Sequence, residues 1–438
     1  MRHISNVQIE RVVASCSAQH ALFVSTAGDI YAYGENTHGQ CGVMTNSAIT
    51  EAVRLEKDAF SPHLGSNERV VSGAVGASHT LLVTSRGSVY AAGDNSLGQC
   101  GLGDTAKAAP FTRLAKFDSA AVQVSCGHDF SLVLTQDGGV YAMGSAAYGQ
   151  LGTGKYDLVF NSAEASFAME KEPVKVAELP PIKQIACGMH HALALDNEGY
   201  AYAWGQGNYG RLGTGSQRNC RKPMRLQQFV RKNRLDRVRA VAAGAYASAV
   251  IDQRHRLWVV GRWRVYGAGG YAENYQIFRP FKELHDKEIS AVALGSDAMH
   301  CLAAEKKGTP KVYGWGERAG HGVLGMGATL PPGDPTICPA LEKVQVIQIA
   351  AGMNTAYWLA QPSGTAYSEL LRFPEMIESP STCLVCGQGS AEDPTLLECD
   401  RCESPFHLAC LKPPLEAIPD GEWLCEKCTS HPRKRRRT

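Results

Sequence analysis

Short apolar runs separated by glycine alternate along most of the chain. Each run spans only four to six residues and is rich in Val, Leu, Tyr and Ala, as in HTLLVT at 79–84 and VYAAG at 89–93. Runs of this length are typical of strands, whereas helices need longer stretches with a different period. The 45 glycines follow no collagen period and indicate many tight turns. The pattern therefore predicts an all-β fold of short antiparallel strands.

One phrase recurs along these strands. It consists of an apolar strand, a Gly-x-x-His-like turn, a second apolar strand, a glycine turn, an aromatic strand and a glycine-rich tail. The turn position occurs seven times at spacings of 51 to 61 residues: Ser17, Gly76, Gly127, Gly188, Gly244, Gly295 and Gly352. Four strands per copy, repeated around a ring, is the way in which a β-propeller limits exposed sheet edges. Because a ring must close, we expect residues 3–13 to share a blade with residues 345–373.

The stretch YAWGQGNYGRLGTG at 202–215 and its relatives resemble the repeat of the regulator of chromosome condensation (RCC) family. The resemblance covers residues 1–375 and implies a seven-bladed β-propeller over that range. The founding member of this family acts on the Ran GTPase through a wedge that interrupts its third blade. Here the matching stretch at 141–154 is uninterrupted, and the extra residues 155–178 follow only after its glycine tail. This departure argues against guanine-nucleotide exchange on a Ran-like GTPase, which stays an alternative.

Two repeated features resemble ligand sites without being predicted as such. His20, His79 and His190 or His191 fill one slot per repeat, so they are spread around a ring and do not converge on one ion. We interpret them as turn histidines with hydrogen-bond partners. The GQLGTG tails lack the lysine of a GxxxxGK[ST] phosphate loop and open no helix, so we interpret them as turns.

A basic segment, residues 218–239, interrupts the otherwise balanced charge of the chain. It contains nine Lys or Arg residues and one acid, Asp236, whereas the whole chain has a net charge of only +2. A field of this sign attracts nucleic acid or an acidic protein surface, although a solvated face is the alternative. Next to it, Arg262–Trp263–Arg264 replaces the usual tail, with residue types that are common in binding hot spots or in a core. We predict nucleosome or DNA contacts through seven of its residues: Arg221, Lys222, Arg231, Lys232, Arg234, Arg237 and Arg239.

The cysteines are distributed unevenly. Of 15 cysteines, eight are scattered singly before residue 340, and seven lie between Cys383 and Cys428, mostly in CxxC pairs. With His407, these seven form a series of eight ligands separated by 2, 12, 2, 4, 2, 14 and 2 residues. Eight thiolate or imidazole ligands fill two tetrahedral zinc sites with no open position, so both predicted sites are structural. CxxC pairs of this kind are typical of metal ligation in a reducing interior.

This ligand series resembles that of a plant homeodomain (PHD) finger, which we place at residues 381–430 after a linker at 376–380. The histidine is the fifth ligand, whereas a RING finger has it fourth. The resemblance implies a cross-brace, with Cys383, Cys386, His407 and Cys410 on one zinc ion. Cys399, Cys402, Cys425 and Cys428 would bind the other. Trp423 is expected to pack on the second site.

The finger is acidic, with nine Asp or Glu residues against three Lys or Arg over 381–430, so it attracts a basic peptide. It most resembles PHD fingers that bind the N-terminal tail of histone three. That resemblance implies that Leu396, Leu397 and Glu398 pair with the tail backbone, and that Asp400 and Glu403 hold its first arginine. Pro419, Asp420 and Gly421 would hold the free amino terminus through their carbonyls, and Glu392 and Asp393 would lie near the first lysine.

An unmodified lysine is predicted to be preferred over a trimethylated one. A trimethyl-lysine needs an aromatic cage, since its desolvated cation is held by ring faces. The two positions that carry cage aromatics in fingers of this type hold Thr382 and Pro405 here.

The remaining features favour a nuclear protein without a membrane span. Residues 432–437, within the basic tail at 431–438, read PRKRRR, which is typical of a nuclear import signal or a phosphate contact. No run of 18 apolar residues is present. No catalytic constellation is visible, so we predict a non-enzymatic chromatin reader and adaptor whose propeller docks an unknown protein or the nucleosome. The alternatives are the exchange factor and a subunit of a histone-modifying or ubiquitin-ligase complex.

Overall fold

A computed structural model describes residues 7–429 except 66, 116, 155–157, 160–165, 263–273, 306–307, 317–321, 327–332, 362–381, 390–395, 400–403, 420–422 and 427–428. Residues Ile9–Ser368 form one compact unit, and the finger belongs to a second. Trp263 and Arg264 therefore lie outside the described residues, as does the basic tail. No helix in the described ranges has the length and apolar character needed to cross a membrane.

The first three sheets follow the repeat in chain order. The first contains β1 (Ile9–Val13), β2 (His20–Ser25), β3 (Ile30–Gly34) and β4 (Ile49–Arg54). The second contains β5 (Phe60–Ser61), β6 (Val70–Val75), β7 (His79–Thr84), β8 (Val89–Gly93) and β9 (Ala108–Arg113), with β5 parallel to β9. The third contains β10 (Ala121–Cys126), β11 (Phe130–Thr135), β12 (Val140–Ser145) and β15 (Met169–Lys175), and a separate hairpin, β13 (Leu158–Val159) and β14 (Ser166–Phe167), precedes β15.

Three further four-stranded sheets complete the series. The fourth contains β16 (Ile182–Cys187), β17 (His191–Asp196), β18 (Ala201–Gly205) and β19 (Cys220–Arg225). The fifth contains β20 (Val238–Ala243), β21 (Ala247–Asp252), β22 (Leu257–Arg262) and β23 (Asn274–Pro280). The sixth contains β24 (Glu288–Leu294), β25 (Met299–Ala304), β26 (Lys311–Trp315) and β27 (Thr336–Ile337).

The prediction of seven blades was wrong. The described residues form six blades, and the last repeat supplies only a two-stranded sheet, β28 (Val346–Ala351) and β29 (Ala356–Ala360). A copy of the turn phrase requires only two strands, so counting turns overestimates the number of blades. We also expected residues 3–13 to share a blade with residues 345–373; residues 3–6 and 362–373 lie outside the described residues, so for them this stays a prediction. β1 pairs antiparallel with β2 inside the first sheet, with Val13 opposite Leu22, and so does not complete the last one.

Neighbouring sheets pack face to face around the ring. The second strand of each of the first five repeats is buried at every position, because it has a sheet on each side; these strands are β2, β7, β11, β17 and β21. The core is divided accordingly into clusters that each join two consecutive sheets. One such cluster combines Leu22 and Ile30 of the first sheet with Leu82 and Phe111 of the second. Continuous apolar strands are the expected consequence of burial on both faces.

Turn histidines join neighbouring sheets, which confirms their interpretation as structural residues. The Nε2 atoms of His20, His79 and His191 lie 2.8, 2.9 and 2.8 Å from hydroxyl oxygens of the next sheet, in Thr80, Ser131 and Ser248. The Ser131 hydroxyl donates to Gln99 O, so His79 must be the donor in its own contact with Ser131. Burial lowers the pKa of His20 to about 3 and that of His79 to about 4, which keeps both rings neutral.

Glutamines on inner strands form a second set of contacts between sheets. Gln123 of β10 donates to and accepts from the backbone of Ile185, and Gln184 of β16 does the same with Val241. Gln348 of β28 accepts from Val12 N at 3.0 Å and donates to Val12 O at 2.8 Å. The contact that joins consecutive sheets therefore also joins the last sheet to the first.

Glycine is required at the last position of β8, which lies against the turn that precedes β7. At Gly93 the backbone has φ +111, and a Cβ there would collide with the carbonyl oxygen of Ser78. The glycine-rich tails form turns, as predicted, with positive φ at Gly98, Gly101 and Gly103.

The second unit is small and contains the last two described strands. β30 (Leu396–Glu398) pairs antiparallel with β31 (Pro405–His407), and a 3₁₀ turn at Leu408–Cys410 follows. The Leu384 amide donates to Pro405 O on the other side of β31. Metal ligands replace an extensive core in a unit of this size.

Candidate metal centre and interaction surfaces

Four of the predicted metal ligands converge in the finger. The ligand atoms of Cys383, Cys386, His407 and Cys410 all lie within 4.8 Å of one another. Cys386 Sγ is 3.2 Å and Cys410 Sγ 3.9 Å from His407 Nδ1, so the ring presents Nδ1 to the thiols. Three sulfurs and one imidazole nitrogen at these separations fit a tetrahedral zinc ion with bonds of about 2.0–2.3 Å.

Backbone amides prepare one of these thiols for metal binding. The amides of Val385 and His407 donate to Cys383 Sγ at 3.4 and 3.3 Å. Burial opposes ionisation of this thiol, but the amide donors prevail and lower its pKa to about 6. A thiolate is the form that ligates zinc, so the backbone amides around Cys383 favour zinc binding by this residue.

The structure brings together the described part of the second predicted ligand set. Cys399 and Cys425 are both buried, and the Cys425 amide donates to Cys399 Sγ at 3.2 Å. Phe406 and Trp423 pack against this pair, with their ring centroids 5.8 Å apart at 71°. Trp423 therefore packs beside the described ligands of the second predicted site, as expected from the sequence. Cys402 and Cys428 lie outside the described residues.

The predicted histone-tail residues are only partly described. Leu397 is buried while Leu396 and Glu398 lie further out, and Pro419 is half-buried. Within the described part of the finger, β30 pairs on one side only, with β31. Among the described residues, no strand pairs with the other edge of β30, and an extended peptide adds to an edge of this kind. Glu392, Asp393, Asp400, Glu403, Asp420 and Gly421 lie outside the described residues.

Some cations of the basic segment form hydrogen bonds or ion pairs within the chain, and others are more available. Arg237 donates to Glu198 O at 3.0 Å and lies 4.6 Å from the Tyr200 ring, with a side chain only 13% exposed. Lys222 pairs with Glu178 at 2.7 Å, and Arg231 Nε donates to Gln228 O at 2.9 Å.

Three other predicted contact residues are more available. Lys232 and Arg234 are exposed and form no ion pair among the described residues. Arg239 is also exposed, and its Nη1 lies 2.6 Å from His255 Nε2. Arg221, the last of the seven, is exposed but already interacts with another group of the chain.

Sequence reasoning missed the cations that complete this surface. Asp236, the one acid of the segment, pairs with Arg254 at 2.9 Å and Arg256 at 3.1 Å, and these bonds lower its pKa. Lys183 and Arg234 line a cavity of about 280 Å³ beside the segment. Arg254 and Arg256 come from the turn between β21 and β22, and Lys183 comes from β16, so only the arrangement of the sheets shows that they adjoin the segment.

The third blade contains the extra residues 155–178, for which the sequence analysis predicted no structure. The hairpin β13–β14 pairs Leu158 with Phe167 and lies between the third and fourth strands of that blade. It falls within the extra residues 155–178. It follows the glycine tail, as the sequence indicated.

Comparisons with known proteins agree with both units. Residues 2–357 match the RCC1-like domain family, and residues 383–428 match the PHD-finger family. Protein RCC2 of Mus musculus is 28% identical over 394 residues, covering 85% of this chain and 72% of that protein. The E3 ubiquitin-protein ligase HERC2 of Homo sapiens is 28% identical over 357 residues, covering 78% of this chain but only 7% of that protein.

Two solved structures share the propeller fold. Human WBSCR16 superposes with a TM-score of 0.66 at 23% identity, covering 81% of this chain and 88% of that one. Prp20p of Saccharomyces cerevisiae, described together with its binding to Gsp1p and histones, gives 0.66 at 19% identity, covering 84% and 96%. The Cys and His cluster is thus the zinc-binding site of a PHD finger. This chain belongs to the RCC1-like domain family and carries a PHD finger after its propeller.

Proposed function

We propose that this chain is a non-enzymatic, nuclear chromatin adaptor whose finger binds the N-terminal tail of histone three. The open edge of β30 carries this proposal, because an extended peptide adds to such an edge through backbone hydrogen bonds. Leu397 anchors the strand in the core, and Glu398 is exposed beside the edge. The acidic excess of the finger favours a basic peptide such as this tail.

The roles of the other residues follow the resemblance to tail-binding fingers. Asp400 and Glu403 hold the first arginine, and Pro419, Asp420 and Gly421 hold the free amino terminus. Glu392 and Asp393 accept hydrogen bonds from a lysine ammonium, which loses a donor with each methyl group. The aromatic rings that are described nearby, Phe406 and Trp423, are engaged with each other and with Cys399 and Cys425. Affinity therefore falls as methylation of the lysine rises.

Two zinc ions support this finger. The first is bound by Cys383, Cys386, His407 and Cys410, and the second by Cys399, Cys402, Cys425 and Cys428. The proximity of Cys399 and Cys425 in the core supports the second site.

The test is a titration of the full chain with tail peptides of each methylation state and with an amino-terminally acetylated peptide. We expect the unmodified peptide to bind most tightly and acetylation to weaken it. Glu398→Lys should lower affinity by about tenfold, because it reverses a charge beside the peptide edge. Glu416→Lys makes the same charge change at another exposed position of the finger and serves as the control. Tighter binding of the trimethylated peptide, or equal losses in both variants, would contradict the proposal.

The propeller acts as the docking platform of this adaptor, for a protein partner or for the nucleosome. The cluster of exposed cations at Lys232, Arg234 and Arg239 supports contacts to nucleosomal DNA or to an acidic protein surface.

Nucleotide exchange on a Ran-like GTPase is a second candidate, because the hairpin β13–β14 belongs to the third blade, the blade that the wedge interrupts in the founding family member, although the hairpin follows the glycine tail. Release of a fluorescent guanine nucleotide from such a GTPase tests it directly. The adaptor proposal expects the full chain to leave the release rate unchanged. An acceleration that disappears when residues 155–167 are replaced by a glycine-serine linker would establish the exchange function instead.

A further inference from the structure

The fourth repeat departs from a hydrogen-bond rule that the first three obey. A buried glutamine, the second residue of each GQ-type tail, accepts a hydrogen bond from the amide of the residue two positions before it, at 2.9, 2.9 and 2.7 Å. The three glutamines are Gln40, Gln99 and Gln150. The fourth repeat has Arg211 at this position, and a guanidinium has no acceptor atom. Tyr209, whose amide loses its partner, takes a left-handed backbone conformation with φ +62. Such a conformation in a bulky residue is uncommon and points to a functional constraint.

Arg211 is buried and held in place by backbone carbonyls. Its side chain is 2% exposed, with Nε donating to Asn208 O at 3.0 Å and Nη1 to Ala245 O at 2.8 Å. Burial is the main cause that lowers its pKa to about 10; Tyr209 and Tyr246 oppose this shift, and Arg262 contributes to it. Among the described residues, Arg211 has no carboxylate as an electrostatic neighbour. A buried cation without an anionic partner is costly, so an anion that reached it would be bound favourably.

Arg262 brings a second cation to the same place. The residue that follows the last glycine of the third strand is Glu35, Asp94, Ser145 and Gln206 in the first four repeats, and Arg262 in the fifth. Its guanidinium carbon lies 4.5 Å from the Tyr209 ring and 4.0 Å from the Tyr246 ring. The same two rings lie 5.5 and 5.6 Å from the guanidinium carbon of Arg211. The two arginines and two tyrosines thus form one cluster between the fourth and fifth sheets.

The cluster presents donors that the described part of the chain does not use. Within the described residues, the guanidinium N–H groups of Arg262 and the hydroxyls of both tyrosines form no hydrogen bond, and Arg262 forms no ion pair. Arg262, Tyr209 and Tyr246 are all partly exposed. A planar guanidinium held over aromatic rings keeps its fork of donors free for a carboxylate.

We propose that Arg211, Arg262, Tyr209 and Tyr246 form a site for a carboxylate from an acidic segment of a protein partner. The inference rests on the proposed docking role of the propeller and adds a place and a chemistry to it. Arg and Tyr are residue types that dominate the energy of protein interfaces.

The same end of the propeller disfavours a nucleic acid as the occupant. The amide that follows each third strand donates to a carbonyl of the turn between the first two strands, as Arg262 N does to Tyr246 O and Ser145 N to Asp129 O. Acidic residues occupy these equivalent places in other repeats, among them Glu35, Asp94, Asp129 and Asp297. A local cation pair among acidic groups suits a protein surface with a matching local acid, whereas a polyanion is repelled by its surroundings.

The test uses the full chain with Arg231, Lys232 and Arg234 changed to Gln, so that the basic segment does not dominate binding. The probe is a short fluorescein-labelled peptide of alternating Glu and Gly, titrated at low salt with inorganic phosphate as competitor. We expect Arg262→Gln to weaken binding by about tenfold, since both charge and fork are lost. Arg262→Lys should recover part of the affinity, because it keeps the charge and loses only the fork.

Arg69→Gln is the matched control, because Arg69 is an exposed arginine between the first two sheets. Equal affinities for Arg262→Gln and Arg69→Gln would overturn the proposal, provided that both unfold at the temperature of the background protein. A short DNA duplex is titrated in parallel. Loss of duplex binding in Arg262→Gln without loss of peptide binding would assign the cluster to nucleic acid and would also overturn it. The histone-peptide titration uses the finger alone as its binding site, so its outcome is independent of this one.

Discussion

At the residue scale, the sequence predicted the structural role of the repeated histidines but not the residues that they contact. The interpretation of the turn histidines as structural was correct because one slot per repeat excludes convergence on an ion. Their partners are not visible in the sequence, since Ser131 follows His79 by 52 positions and belongs to the next sheet. The same limit applies to Arg262, whose ring partners come from two other segments of the chain. Contacts between sheets depend on how the ring places them, which a local pattern does not contain.

The buried histidines make the propeller sensitive to acid. His79 has a pKa of about 4 in the fold and about 6.5 unfolded, so below pH 6.5 the unfolded chain binds a proton that the fold excludes. The stability that the neutral ring provides is complete above pH 6.5 and is lost as the pH falls toward 4. We expect this residue to account for about 2 kcal/mol of lost stability between pH 7 and pH 5. His79→Phe, which copies Phe130 of the third repeat, should remove that part of the loss.

Denaturant titrations at the two pH values measure this difference. His38→Gln removes an exposed histidine and should leave the loss unchanged. An identical acid-induced loss in His79→Phe and the parent chain would show that His79 does not carry the effect.

At the scale of single elements, the sequence was most reliable where the information is local. The finger could be predicted because its ligands are close in the chain, and the spacing alone brings Cys383, Cys386, His407 and Cys410 to one point. The blade count was wrong because each copy of the turn phrase indicates only two paired strands. A blade needs further strands, which the phrase does not contain. β28 and β29 carry the seventh turn but form only a two-stranded sheet in the described residues.

The finger should depend on metal, whereas the propeller should not. We expect two zinc ions per chain by elemental analysis, and removal by a chelator should unfold the finger, because the ions replace most of its core. Cys399→Ala should unfold the finger and leave the propeller folded, since the thiol is buried beside Cys425. Cys220→Ala removes a thiol from the outer strand of the fourth sheet and should retain both ions. Purified chain without zinc would refute the prediction.

At the scale of the whole molecule, a side chain contributes to ring closure, beside the backbone hydrogen bond from Met353 N to Ala18 O. Gln348 connects β28 to the backbone of Val12 through two hydrogen bonds, as Gln184 connects the fourth sheet to the fifth. We expect Gln348→Ala to cost about 2 kcal/mol, because Val12 loses a donor and an acceptor in a partly buried place. Hydrogen exchange should show faster opening of β1 in this variant. Gln184→Ala should destabilise the chain without that local opening, because its two sheets are also joined by a short chain connection. Unchanged exchange of β1 in Gln348→Ala would mean that other contacts close the ring.

The basic segment contains two kinds of cation. Some are exposed and form no ion pair among the described residues, and others already pair with an acidic side chain of the chain. Lys232 and Arg234 are exposed and form no ion pair among the described residues, whereas Lys222 already pairs with Glu178 at 2.7 Å. Each phosphate contact adds about 0.9 to the slope of log affinity against log salt. Changing Lys232 and Arg234 to Gln should therefore lower nucleosome affinity at low salt and reduce this slope by about 2. Lys222→Gln, which also removes a cation from the segment, should change the slope less, because its charge is compensated within the fold. Equal slopes in the double variant and the parent chain would mean that the segment is a solvated face that does not bind nucleosomal phosphate.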